Sequence, residues 1–239
     1  MTKSEQLFDA MRKTVNPYPP SMVEIEGKLD KCCAFFPAGS GYRDVSDNNS
    51  EKPYLCLGQD WQLFANYETV VKSKNYKYDL KSPTFIKFSS LLKDVGINEN
   101  DCFFTNAIMG ARANGEKATG KSPAFKSPEF VDRCGKFFEK QLSIINPKTV
   151  IVFGAEPAKF LAHLSDKLKV WEKFKNFKEI DEAGHQIIRN VEINGVTCNY
   201  VLIVHPSYRH TNVKTRSYKK FECNKAEIAM LKDAMKEQI

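Results

Sequence analysis

The chain lacks long apolar runs: none of its hydrophobic stretches approaches the ~20 residues that a bilayer-spanning helix needs, so no membrane partner is expected. Met1–Lys13 has no apolar core of the kind a signal peptide carries and reads as a short amphipathic helix, so a cytoplasmic location is expected. No C-x-x-C occurs. The seven cysteines are odd in number, and Cys56, Cys102, Cys134, Cys198 and Cys223 mostly sit within apolar patterns, as reduced core thiols do. Cys32 and Cys33 are adjacent and poorly placed to share one tetrahedral metal, so neither a metal nor another cofactor is expected. Internal repeats and low-complexity segments are also missing.

What is present is an ordinary globular composition, 42% apolar and 27% charged over 239 residues, enough to bury a core without disulfides or metals. One domain over residues 1–239 is expected, a helix and wrap over 1–50 and a core over 51–239, acting as a monomer. The net charge of +7 suits a polyanionic partner. Its distribution is informative. Arg112, Lys117, Lys121 and Lys126 follow one strand-like run, and Arg209, His210, Lys214, Arg216, Lys219 and Lys220 follow another. Phosphates are the expected ligands of both segments.

Helical and strand patterns alternate along the core. Strands are expected at 54–58, 102–108 and 149–153, and an Asn194-Gly195 turn between 187–193 and 196–204 signals a hairpin leading into a fourth strand. Helices are expected at about 84–95, from Ser127 as N-cap and Pro128 at the first position to Ile145, at 157–164, within 165–185 and from 217 to 238. Continuous β-branched runs such as Thr149-Val150-Ile151-Val152-Phe153 imply burial on both faces, hence a parallel central sheet. Residues 15–53, rich in Pro, Gly, Ser and Asn, read as irregular.

Three polar residues each follow one of these strands: Asp60, Asn106 and His205. Residues just past the carboxyl ends of parallel strands line one crevice, so a carboxylate, an amide able to read a base edge and an imidazole are expected to meet there. The combination suggests hydrolysis at a nucleobase.

Gly58-Gln59-Asp60, Thr105-Asn106-Ala107, Val152-Phe153-Gly154-Ala155 and His205-Pro206-Ser207, in this order, resemble the uracil-DNA glycosylase superfamily over roughly residues 50–235. The resemblance implies an α/β/α three-layer sandwich around a four-stranded, mostly parallel sheet, here with a possible antiparallel edge hairpin. It also implies cleavage of the N-glycosidic bond of uracil flipped out of single- or double-stranded DNA during base excision repair. Asp60 would orient the attacking water and stabilise the sugar cation, and His205 would hydrogen-bond to the O2 atom of the departing base. Gly58, Gln59 and Asn106 would hold the base, with Phe64 preferred to Tyr67 and Phe85 as its stacking partner. Ser207, Tyr208, Arg209, Lys214, Arg216 and Arg112 would contact DNA, Tyr208 and Arg209 standing where relatives insert a wedge. Two departures matter. Trp61-Gln62-Leu63 replaces the Pro-Tyr-His whose tyrosine excludes thymine in the best-known branch. Gly110 stands near a cysteine position of the iron–sulfur branches, and with no paired C-x-x-C no cluster is expected. A catalytically weak nucleic-acid-binding member of the fold, and a glycosylase for hypoxanthine or xanthine, are the alternatives.

Overall fold

The computed structural model describes residues 2–24, 51–66, 68 and 83–236. The Cys32-Cys33 pair, the irregular stretch around 35–41 and Tyr67 lie outside the described residues.

The first helix, α1 (Lys3–Val15), opens on a capping box: Thr2 Oγ1 accepts the Glu5 N–H, and the Glu5 carboxylate accepts the Thr2 N–H at 2.7 Å. Its buried face carries Leu7, Phe8, Met11 and Val15. A short strand β1 (Met22–Val23) follows. The core then runs through β2 (Tyr54–Gly58), α2 (Pro83–Val95), β3 (Cys102–Asn106), β4 (Ala111–Arg112) and α3 (Pro128–Ile145). Next come β5 (Thr149–Phe153), α4 (Ala155–Ala162), α5 (Phe177–Glu182), β6 (Ile187–Ile193) and β7 (Val196–Ile203). The chain closes with α6 (Arg209–Asn212), β8 (Ser217–Tyr218), β9 (Phe221–Glu222) and α7 (Cys223–Ala234).

The central sheet has five strands in the order β3-β2-β5-β7-β6, with β2, β3, β5 and β7 parallel and β6 antiparallel at one edge. This is the expected parallel sheet with its edge hairpin. The hairpin turns at Asn194 and Gly195, whose φ values of 50° and 77° are those of a type I′ turn. Strict alternation divides the buried side chains between two faces. Leu55, Leu57, Phe103, Val150, Val152, Tyr200 and Leu202 pack with α1, α3 and α4. Cys56, Phe104, Ile151, Phe153, Val201 and Ile203 pack with α2 and α7. Helices thus cover both faces, as an all-buried parallel sheet requires.

Several expected boundaries move. The second strand ends at Asn106 and not at 108, since the next two residues turn across the end of β2, Ala107 N–H donating to Gly58 O and Ile108 N–H to Gln59 O, each at 2.9 Å. Ser127 stands at the N-cap of α3, but its hydroxyl makes no capping bond. Residues 165–185 form a 3-10 segment at Leu168–Lys173 followed by α5, not one helix. The last helix begins at Cys223: residues 217–222 make the β8–β9 hairpin, in which Lys219 adopts φ 55°.

Candidate functional site

The four parallel strands place their carboxyl ends on one side of the sheet, and a cleft of about 630 Å³ opens there. Gly58, Gln59 and Asp60 reach it from the end of β2, Asn106 from β3, Phe153 and Gly154 from β5, and Val204 and His205 from β7. Gly58 and Asn106 are register partners, so the Asp60 and Asn106 segments leave the sheet side by side. The fold thus brings together the three polar residues singled out from the sequence.

Asp60 is buried and doubly held. Arg112 Nε donates to Oδ2 at 2.7 Å, and the Gln62 N–H donates to Oδ1 at 3.2 Å. The remaining guanidinium donors of Arg112 go to carbonyls of the loop after β4: Lys117 at 2.7 Å, Thr119 at 3.2 Å and Gly120 at 2.9 Å. Arg112 is therefore corrected from a phosphate contact to an internal clamp, because all its donor nitrogens are committed and only 3% of its side chain is exposed. Gln59 Nε2 reaches the same Gly120 carbonyl at 2.9 Å, tying the loop to the cleft from a second side.

His205 opens the turn Pro206–Tyr208. Its Nδ1 accepts the Ser207 N–H at 3.3 Å and lies 2.7 Å from Ser207 Oγ. A backbone N–H can only donate, so in the neutral ring the proton sits on Nε2. Burial pulls the imidazole pKa down to about 4, with Asp60 opposing the shift, so the ring is neutral at physiological pH. Gly154 is what lets the ring lie there. Its φ is 88°, and a Cβ at that position would come within 3.3 Å of His205 Cβ.

The basic segment after β7 divides sharply. Arg209 pairs with Glu227 and Asn224, and Arg216 is fully buried between Asp181 and Glu227. Both are corrected from DNA contacts to structural cations, since each guanidinium is committed to partners within the fold, Arg216 fully buried and Arg209 nearly so. Lys214 is exposed, Ser207 half-buried and Tyr208 46% exposed, with its ring 5.9 Å from that of His205.

Phe64 is not among the residues lining the cleft and packs instead against the α1–α3 core, and Phe85 is 3% exposed in the other core. The aromatic lining consists of Phe153, Phe177 and Tyr208. Phe177 lies in a lysine-rich stretch with no sequence signal for a site. Of the tripeptide Trp61-Gln62-Leu63, Trp61 is core and Gln62 lines the cleft, held at φ 63°.

Residues 79–227 match the profile of the Uracil DNA glycosylase superfamily, well over half of the chain. The chain belongs to this superfamily. Among curated proteins, the Type-4 uracil-DNA glycosylase of Archaeoglobus fulgidus is 27% identical over 93 residues, which cover 37% of this chain and 43% of that protein. The chain thus spans less than half the length of the curated relative it matches. Cys56, Cys102, Cys134, Cys198 and Cys223 are free thiols, four of them buried in the core. Among the described residues no three His, Cys, Asp or Glu side chains converge to hold a metal. Gly110 is confined, because a Cβ there would meet the Tyr18 ring at 2.9 Å and the Val23 carbonyl at 3.3 Å. The described residues do not fit a four-thiolate cluster. No described helix is long and apolar enough to cross a membrane.

Proposed function

We propose that this protein is a monofunctional DNA glycosylase that hydrolyses the N-glycosidic bond of uracil turned out of DNA, acting as a cytosolic monomer without a metal. One observation carries the reading: Asp60, Asn106 and His205, contributed by three parallel strands, line one cleft in a chain of this superfamily. Flipping is required because the glycosidic bond of a stacked base is out of reach of such a pocket.

The Asn106 amide offers one donor and one acceptor, the complement of uracil's O4 and N3–H. His205 offers Nε2–H as a neutral donor to uracil O2, where charge accumulates as the C1′–N1 bond breaks and its electron pair leaves with the base. Asp60 Oδ1, held by a single 3.2 Å backbone bond, keeps lone pairs for the attacking water. Water adds its oxygen to C1′ and gives its proton to the carboxylate, whose negative charge stabilises the sugar cation.

The Arg112–Asp60 pair also favours a second reading, base capture with weak catalysis, because the cation offsets the charge available to the sugar. Incubating the purified protein with labelled oligonucleotides containing U, T, hypoxanthine or xanthine, followed by alkaline cleavage, separates the readings. Abasic sites at uracil alone are expected. Cleavage at hypoxanthine or xanthine would reassign the base, and tight binding with no abasic product would establish capture.

A further inference from the structure

The turn that carries His205 is fastened at both ends to one carboxylate outside the cleft. Glu227, fully buried on α7, accepts the Val204 N–H through Oε1 at 2.6 Å and the Arg209 guanidinium through Oε2. Val204 and Arg209 flank the His205–Tyr208 segment on its two sides. Oε1 also takes Arg216 Nη1 at 3.2 Å, and Arg216 in turn donates Nη2 to the Leu202 carbonyl at 3.0 Å and Nε to Asp181 at 2.8 Å. The Arg216 guanidinium lies over the ring of Phe177, 4.8 Å from its centroid, and that ring lines the cleft.

Buried ion pairs are weak devices for stability, because desolvation offsets most of their attraction, but they hold geometry where several hydrogen bonds converge on one group. Here the converging group meets both ends of a short turn whose middle residues, Ser207 and Tyr208, are half-buried and exposed. Lys87 Nζ donates to the Ser207 carbonyl at 3.0 Å and holds the middle of the turn, whereas Glu227 meets its two ends.

We infer that Glu227 is a positioning residue for His205, setting through Val204 and Arg209 the height and tilt of the imidazole over the cleft, with Arg216 extending the same control to the Phe177 wall. The inference rests on the glycosylase reading for its kinetic consequence. It turns Arg209 from a cation for DNA into a part of the catalytic scaffold.

The test compares the full-length wild type with Arg209→Met, which cuts the downstream attachment and leaves Glu227 paired with Arg216. Three quantities are measured: the single-turnover excision rate at saturating uracil DNA, the affinity for an uncleavable 2′-fluoro oligonucleotide as salt is varied, and the ¹⁵N signals of the His205 imidazole. The rate is expected to fall roughly 10- to 100-fold, the scale of a small misplacement of a reacting group. Affinity and salt slope are expected to stay at wild-type values, and the Nδ1 and Nε2 signals to lose the single-tautomer pattern. Arg209→Lys, which keeps a cation against Glu227, should recover most of the rate. Weaker binding with a flatter salt slope, at a wild-type rate, would overturn the inference in favour of a phosphate contact. Should Arg209→Met not fold, Arg209→Gln, whose shorter neutral amide weakens the attachment to Glu227 without removing every donor, should show the same changes at smaller size. Should the wild type excise nothing, the glycosylase reading fails by itself, and unchanged imidazole signals in the variant would separately exclude the positioning role.

Discussion

The two flanks of the cleft use the same chemical pair, a buried arginine and a carboxylate, in opposite ways. On the β2–β3 flank, Arg112 grips the candidate water-activating carboxylate itself and spends its other donors on three loop carbonyls. On the β7 flank, Arg209 and Arg216 never touch His205; they grip Glu227, which holds the backbone on either side of it. The difference teaches that a carboxylate can be oriented directly, by a cation that also modifies its charge, whereas an imidazole that must stay neutral is better oriented through its backbone. A guanidinium beside His205 would compete with the ring for the substrate's acceptor oxygen, and a further acid there would favour the charged ring.

The comparison is broken most severely by removing the deepest arginine. Arg216→Met leaves Asp181 without its cation and Glu227 with Arg209 alone, and loss of one partner of a buried pair costs about 3–5 kcal/mol. Burial already pushes the Asp181 carboxyl above its ordinary pKa with Arg216 beside it. Denaturant unfolding should show that loss, and a variant as stable as wild type would show that the flank is held by packing. Asp60→Asn keeps the shape of the other flank but removes its charge; single-turnover excision should fall at least ~100-fold with DNA binding intact. A rate near wild type would remove Asp60 from the mechanism.

The imidazole supplies a pH signature. Its folded pKa of about 4 lies below the ordinary histidine value, so as pH falls from about 6.5 towards 4 the unfolded chain takes up a proton that the folded chain refuses. Stability contributed by the neutral ring is therefore complete above that window and declines through it. The drop in Tm between pH 7 and pH 5 should be smaller in His205→Gln than in the wild type; equal drops would mean that His205 titrates normally. The smallest expected effect separates the exposed cation from its buried neighbours. Lys214→Gln should flatten the salt dependence of DNA binding by ~0.9, about a threefold change in affinity between 50 and 200 mM salt. An unchanged slope would move the DNA path away from this turn.

The strands and the meeting of Asp60, Asn106 and His205 were legible because an all-buried parallel sheet leaves its pattern in the chain and fixes where strand ends point. The arginines were misread because their partners are remote: Asp181 lies 35 residues from Arg216, and the two meet only in the folded chain. One signal was available. Glu227 stands three and four residues before Met230 and Leu231 on the inward face of α7, and a charge on an apolar face calls for a buried partner. Phe177 left no such trace, because neither its lysine-rich context nor its short helix marks a cleft wall.

The Arg112 clamp has a consequence for proteolysis. The loop it grips carries exposed Lys117 and Lys121, and Lys126 follows close behind, an inviting target for trypsin by exposure alone. Cleavage needs a stretch of chain to detach and enter the protease, and detaching 117–120 means breaking the guanidinium bonds that also hold Asp60. Limited digestion should therefore spare this loop in the wild type and nick it early in Arg112→Met, so that the condition of a buried carboxylate can be read from fragment sizes on a gel.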